Sequence, residues 1–281
     1  MNTALIRERD VTVDGIRTVL REAGPRDASE AVVFCHGNPG PSEDWIGLIG
    51  RVGLFARAVA WDAPGFGRAD KPKEFPHTVE GHAAFIGSVV DELGIDRVHL
   101  VVHDFGAWGL EWAATHPDRF ASAVIINSGV LIGYRWHWMA RVWQTPLLGE
   151  LFMATSSRAG IRLIMGKTDP KLTRGQVDRI YNAMSDPATK RAVLRLYRAS
   201  KRTTFAAWAE HTAARLRPLD RPALVAWGAD DRFVPVRYAE GNRSSFPRAE
   251  IATIDGSGHW PFLDNSRLVE DIVCKFLQPL L

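Results

Sequence analysis

Short apolar runs that stop abruptly at polar or glycine-bearing turns limit most strongly what this chain can fold into. Residues 31–35 end at His36-Gly37, residues 56–61 end at Asp62-Ala63-Pro64-Gly65, and further runs lie at 98–102 and 123–126. Between and after them come helical patterns. Over 78–93, Val79, Phe85, Ile86, Val89, Val90 and Leu93 recur near a 3.6-residue period, and a second helix is predicted over 106–115. The rhythm resumes late in the chain, with strands at 223–227 and 250–254 and helices at 236–242 and 265–276. Strands alternating with helices require right-handed crossovers, hence an α/β fold with a mostly parallel sheet covered on both faces. Ahead of it, residues 4–13 and 16–22 flank Asp14-Gly15 and predict an antiparallel hairpin at the sheet edge.

Residues 131–216 break the rhythm. They carry helical patterning throughout, at 147–152, 160–165, 173–184, 187–198 and 202–216, with no internal repeat or low-complexity tract. They also hold fifteen Lys and Arg against five acids. That is a net of +10 in a chain of overall charge +3, leaving −7 for the rest. We therefore divide the chain into a core of residues 1–130 and 217–281 and an inserted helical cap of 131–216. A cap between two halves of one sheet belongs over the carboxyl ends of the strands, where open α/β sheets bind ligands.

The 281 residues are 46% hydrophobic and 24% charged, which excludes a disordered chain and gives ample length for a core. No run of about 18 apolar residues is present, so no membrane span is predicted. The opening Met1-Asn2-Thr3-Ala4-Leu5-Ile6-Arg7-Glu8 meets charge before any apolar stretch, unlike a signal peptide. Cys35 and Cys274 each lie in an apolar stretch and read as two buried thiols of a cytoplasmic protein. Two cysteines supply neither a disulfide framework nor a metal site. Nothing in the charge pattern marks a nucleic-acid partner.

The chemistry concentrates at strand ends. Val101-Val102-His103-Asp104-Phe105-Gly106-Ala107 takes an apolar strand through one polar residue and small residues into a helix. Such a turn holds one side chain, here Asp104, above the next helix. The plain alternative is that Asp104 only caps that helix. His36-Gly37-Asn38-Pro39-Gly40 follows a neighbouring strand and can aim the Asn38 N–H at the same point as the Phe105 N–H, forming an oxyanion hole. Trp227-Gly228-Ala229-Asp230-Asp231-Arg232-Phe233-Val234-Pro235 puts acids just past another strand, and Gly256-Ser257-Gly258-His259-Trp260-Pro261 puts a histidine in the loop after the last. Elbow, acid and histidine come in the order nucleophile, acid, base.

Over nearly its full length the chain resembles the α/β-hydrolase fold. The HGNP turn, the run from Asp62 to Pro72, the elbow, WGADDRFVP and GSGHWPF carry the likeness. Asp104, where many members have serine, is similar to the carboxylate-nucleophile branch of epoxide hydrolases and haloalkane dehalogenases. By that resemblance the acid is Asp231 rather than Asp230. An aspartate is already ionised near neutral pH and needs no base in order to attack. It would displace a leaving group at saturated carbon, giving an Asp104 alkyl ester. His259, oriented by Asp231, would then activate the water that attacks the ester carbonyl. No metal and no organic cofactor is implied.

The leaving group divides the branch. Halide binding in the dehalogenases calls for a Trp directly after the nucleophile, sometimes with the Asn of HGNP; this chain has Asn38 but Phe105. Epoxide opening calls for cap tyrosines that donate a proton, and Leu194-Arg195-Leu196-Tyr197-Arg198 resembles the segment bearing one. Tyr134 and Tyr181 are the other available phenols, with Trp136, His137, Trp138 and Trp143 as further donors. Tyr197, Tyr134 and Trp136 are the expected substrate contacts. Epoxide opening to a vicinal diol is the favoured reading, dehalogenation the second, and a non-catalytic receptor on the same fold the alternative from another class. The expected partner is a small apolar or aromatic molecule. The plainer reading of the basic cap is solvated helix faces; the alternative is that it concentrates an anionic substrate or carrier at the cleft. Steering predicts that kcat/KM for an anionic substrate falls between about 20 and 500 mM salt while that for a neutral one holds, since the Debye length shrinks severalfold over that range. Equal responses of the two substrates would leave the cap charge with no steering role.

Overall fold

A computed structural model describes residues 2–281. Met1, the first residue of the segment read as lacking a leader, lies outside them. Eight strands form one sheet: β1 (Arg7–Val13), β2 (Ile16–Ala23), β3 (Glu30–Cys35), β4 (Arg57–Trp61), β5 (Arg97–His103), β6 (Phe120–Ile126), β7 (Ala223–Gly228) and β8 (Glu250–Ile254). Their spatial order is β1-β2-β4-β3-β5-β6-β7-β8. β2 runs antiparallel to both neighbours, and every pairing from β4 across to β8 is parallel. The fold class read from the alternation is the one observed.

Why these segments pair is visible in their burial. β4, β6 and β7 are buried at every position, and β3 and β5 at all but their first residue. A parallel sheet covered on both faces demands such continuous apolar strands. β8, at the edge, is mostly half-buried or exposed. The helix Val79–Glu92 starts on Thr78, whose hydroxyl accepts the Gly81 N–H. It buries the expected face, including Phe85, Ile86, Val89 and Val90.

Six helices between Trp138 and Leu216 fill the chain between β6 and β7 as a helical insert. Five overlap the predicted segments. The sixth, Trp138–Gln144, was not predicted, because its buried residues are interleaved with exposed Arg141 and Trp138 in about two turns. Capping side chains set the starts of four: His137, Ser157, Thr173 and Asp186 accept N–H groups of their own first turns. The predicted helix at 236–242 is instead two short 3₁₀ turns, Val236–Tyr238 and Glu240–Ser244. The predicted helix at 106–115 opens as a 3₁₀ turn, Asp104–Trp108, before the α-helix Gly109–Thr115.

The turn after β3 and the turn after β5 touch. A Cβ on Gly106 would overlap the Cys35 carbonyl, and one on Gly37 would overlap the Asp104 side chain. Gly106→Ala is therefore expected to cost about 2–3 kcal/mol of stability, because the obstacle is backbone and cannot swing away. Urea unfolding of that variant beside an Ala substitution at solvent-exposed Gly175 checks it.

Candidate active site

β5 delivers Asp104 at φ +49°, in the left-handed region. For a non-glycine residue this costs about 1–3 kcal/mol and needs surroundings that enforce it. The enforcing contacts are in place. The Ser128 hydroxyl donates to the Asp104 carbonyl at 2.6 Å, and the Asn38 N–H donates to Asp104 Oδ1 at 2.8 Å. Asn38 is thus one of the two expected amide donors at the expected carboxylate. The other, Phe105, sits in the 3₁₀ turn, and among the described residues its N–H has no carboxylate partner.

His259 meets Asp104 from the far side, with Nε2 3.7 Å from Oδ2. Its Nδ1 lies 2.7 Å from Asp231 Oδ2. Of the two adjacent acids it is therefore the buried Asp231 that reaches the ring, while Asp230 is exposed. Asp231 is further fixed through Oδ1, which accepts the Phe233 and Val234 N–H groups at 2.7 and 2.9 Å. Burial alone would push the Asp104 carboxyl up and the His259 ring down. The charges they present to each other, with Asp231 behind, reverse both: Asp104 is held down at about 2 and His259 is pushed up to about 10. The resting site is an ion pair with a second anion behind it.

Two residues that sequence reasoning missed hold this arrangement. Asn127, at φ +47° after β6, donates to Asp231 Oδ2 at 2.7 Å and to the Gly258 carbonyl at 3.2 Å, and accepts the Gly228 N–H at 3.0 Å. An Asn directly after an apolar strand was the available signal. His103, just before the nucleophile, sits with Nε2 2.8 Å from the His259 carbonyl oxygen. Burial drives its pKa down to about 3, so the ring is neutral and its Nε2–H donates.

Above the carboxylate lies a cavity between core and insert whose walls include Phe105, Trp108, Trp136, Trp143 and Phe233. No Lys or Arg of the described residues lines it. Several of the insert's basic residues are instead engaged with acids: Arg162 with Asp178, Arg198 with Glu150, Arg215 with Glu111. Tyr197 is buried against Phe105, ring centroids 5.0 Å apart, and burial together with the Asp104 charge raises its pKa well above the usual phenol value. Tyr134 lines the same cavity, but its hydroxyl already donates to the Phe233 carbonyl at 2.9 Å. Trp136 stacks on Phe105 with centroids 5.8 Å apart. Its Nε1 and that of Trp143 are buried without hydrogen-bond partners. His137 also reaches the cavity; its Nδ1 accepts the Ala140 N–H at 3.1 Å, which leaves the ring proton on Nε2. Burial lowers its pKa to about 4, so it is neutral. Tyr181 lines the cavity too, whereas Trp138 is exposed. Both cysteines are buried and free.

The chain belongs to the α/β-hydrolase fold family, whose profile matches residues 30–266. It is 26% identical to the cis-3-alkyl-4-alkyloxetan-2-one decarboxylase of Xanthomonas campestris, across 94% of this chain and 93% of that one. Among solved structures it is similar to the haloalkane dehalogenase DatA from Agrobacterium tumefaciens, with TM-score 0.84, 21% identity and 98% and 97% of the two chains covered. It is also similar to the epoxide hydrolase CorEH, with TM-score 0.81, 19% identity and 99% and 100% covered. No helix of the described residues is long and apolar enough to cross a membrane.

Asn127→Ala removes hydrogen bonds to three segments at once and leaves buried partners unsatisfied. A loss of about 2–4 kcal/mol is expected, with Asp231 losing one of its four donors. Thermal unfolding, beside the activity retained at a temperature where the variant is folded, checks both effects.

Proposed function

We propose that this hydrolase opens epoxides to vicinal diols through an ester on Asp104. The observation that carries the reading is a paired carboxylate at the floor of an apolar cavity that also holds two neutral donors, Tyr197 and His137. Asp104 Oδ2, the oxygen not held by Asn38, attacks a ring carbon and the C–O bond breaks. The oxygen set free is a strong base and takes a proton from Tyr197, with the His137 Nε2–H as a second donor. A phenol with a raised pKa keeps its proton against water and yields it only to such an alkoxide.

Forming the ester removes the negative charge beside His259. The Coulombic support for the imidazolium weakens, its pKa falls, and the ring releases its proton to solvent, after which it can take one from water. Hydroxide attacks the Asp104 carbonyl carbon, and the oxyanion forms beside the Asn38 N–H, with the Phe105 N–H as the second donor expected there. As the ester collapses, His259 gives its proton to the departing alkoxide oxygen. The proton lost when Asp104 re-ionises restores the donor, and beside the returned carboxylate His259 takes back a proton from solvent. The sum is epoxide plus water to diol.

Support for an oxygen leaving group also comes from the substrate class of the Xanthomonas relative, since an oxetan-2-one is likewise a strained oxygen ring. Dehalogenation by the same ester is the second reading. It is favoured by the unpartnered indole N–H groups of Trp136 and Trp143, which are suited to an anion.

His259→Gln is expected to accumulate an adduct on Asp104 with the full mass of the epoxide, seen by intact-protein mass spectrometry. No adduct with any epoxide or alkyl halide would sink the mechanism. Tyr197→Phe should lower kcat/KM for styrene oxide by about 10²-fold, the scale of a lost general acid. Halide release from 1,2-dibromoethane with epoxides inert would reverse the order of the two readings. Acidification separates the steps. Asp104 stays ionised down to about 2, so alkylation persists, while His259 must be neutral to act as base. From pH 8 to pH 5 the ester should therefore build up in the wild type, measured by acid quench and mass spectrometry.

A further inference from the structure

We propose that Asp169, on the helical insert, is a positioning residue for His259 and makes seating of the insert and alignment of the base one event. This rests on the reading of His259 as the base that hydrolyses the Asp104 ester.

Asp169 ends the helix Arg158–Thr168 and is buried at the junction of insert and core. Its Oδ2 accepts the backbone N–H of His259 at 2.9 Å. The carboxylate lies flat on Gly258, where a Cβ would overlap it. Its Oδ1 has no hydrogen-bond partner. A buried, half-satisfied carboxylate is costly, and burial raises its pKa to about 6, with the Asp264 charge adding to the rise. A residue that served packing alone would be cheaper as an apolar side chain.

What the carboxylate holds is informative. The His259 carbonyl is held by His103, its ring by Asp231, and the preceding Gly258 N–H by Asp264 Oδ2 at 2.8 Å. All three of those partners belong to the core. Only the His259 N–H is held from the insert. The same helix faces the substrate cavity with Ile161, Ile164 and Met165. A substrate packed against those side chains thus presses on an element whose end fixes the base. Since a displacement of about 1 Å in catalytic geometry can cost 10²-fold, a small unseating of this helix is enough to disable ester hydrolysis.

Asp104 attacks without help from a base, so the proposal separates the two chemical steps. In the full-length Asp169→Ala variant, alkylation of Asp104 should stay within about twofold of wild type while ester hydrolysis slows about 10- to 100-fold, read by rapid quench and mass spectrometry. Asp169→Asn, which keeps a carbonyl acceptor, should restore most of the hydrolysis rate. Hydrogen exchange of the peptide covering Gly256 to Trp260 should quicken in Asp169→Ala and not in Asp169→Asn, with no substrate present. Equal slowing of both steps, or unchanged exchange, would overturn the proposal. Quickened exchange with no ester even in His259→Gln would overturn the Asp104 mechanism and leave Asp169 as the tether of that loop.

Discussion

A close approach between two pieces of backbone sets where everything else at the site can go. The turn after β3 and the elbow after β5 come together over Gly37 and Gly106, with no room for a Cβ at either. That contact forces Asp104 into the left-handed region and, in the same stroke, brings the Asn38 N–H to its carboxylate. The strain and the hydrogen bond are two aspects of one arrangement. Relieve the crowding and the side chain has no reason to stand at the sheet's upper edge, within reach of a histidine that arrives from residues more than 150 positions later in the chain.

The electrostatics follow from that placement. Two carboxylates flank one imidazole inside a largely apolar enclosure. In water such a cluster would be screened; here each charge depends on the others for its existence. Besides the His259 ring, the donors around Asp231 come from Asn127, Phe233 and Val234, with no Lys or Arg among them. The site therefore spends no Lys or Arg on its own anions. Arginines of the insert instead tie it to the core, as Arg215 does with Glu111 and Arg195 with the Phe75 carbonyl.

Much of this was legible in the residues, for a physical reason. Strands buried on both faces must be continuously apolar, so β3 to β7 announce themselves, and polar residues at their ends stand out against them. Asp104, His259 and the Asp230-Asp231 pair were found that way, the choice of Asp231 resting on the resemblance, and the structure brings Asp104, Asp231 and His259 together. Asn127 shares the signal but was overlooked, since a single Asn after a strand also reads as an ordinary turn. His103 also ends its strand, but its ring is turned toward a distant carbonyl, and nothing local marks that role. Asp169 could not be found by that route, since it acts through a contact 90 residues away in sequence. The two short turns at 236–244 show the limit of periodicity: Pro235 and a run of small and polar residues support a tight turn as readily as a helix.

β6 and β7 pair directly, Ala123 opposite Ala223, although the whole insert lies between them. Polymer statistics make this arrangement tolerant. The entropy of closing a loop grows only with the logarithm of its length, about 0.6 kcal/mol for each doubling. Lengthening or shortening the insert therefore hardly alters the cost of joining the two strands, and the sheet need not be renegotiated when the roof is. Such an architecture separates two inheritances: a chemical floor fixed by backbone geometry, and a detachable ceiling whose volume and lining can drift almost free of charge. The restraint on that drift is the handful of points where ceiling and floor are tied.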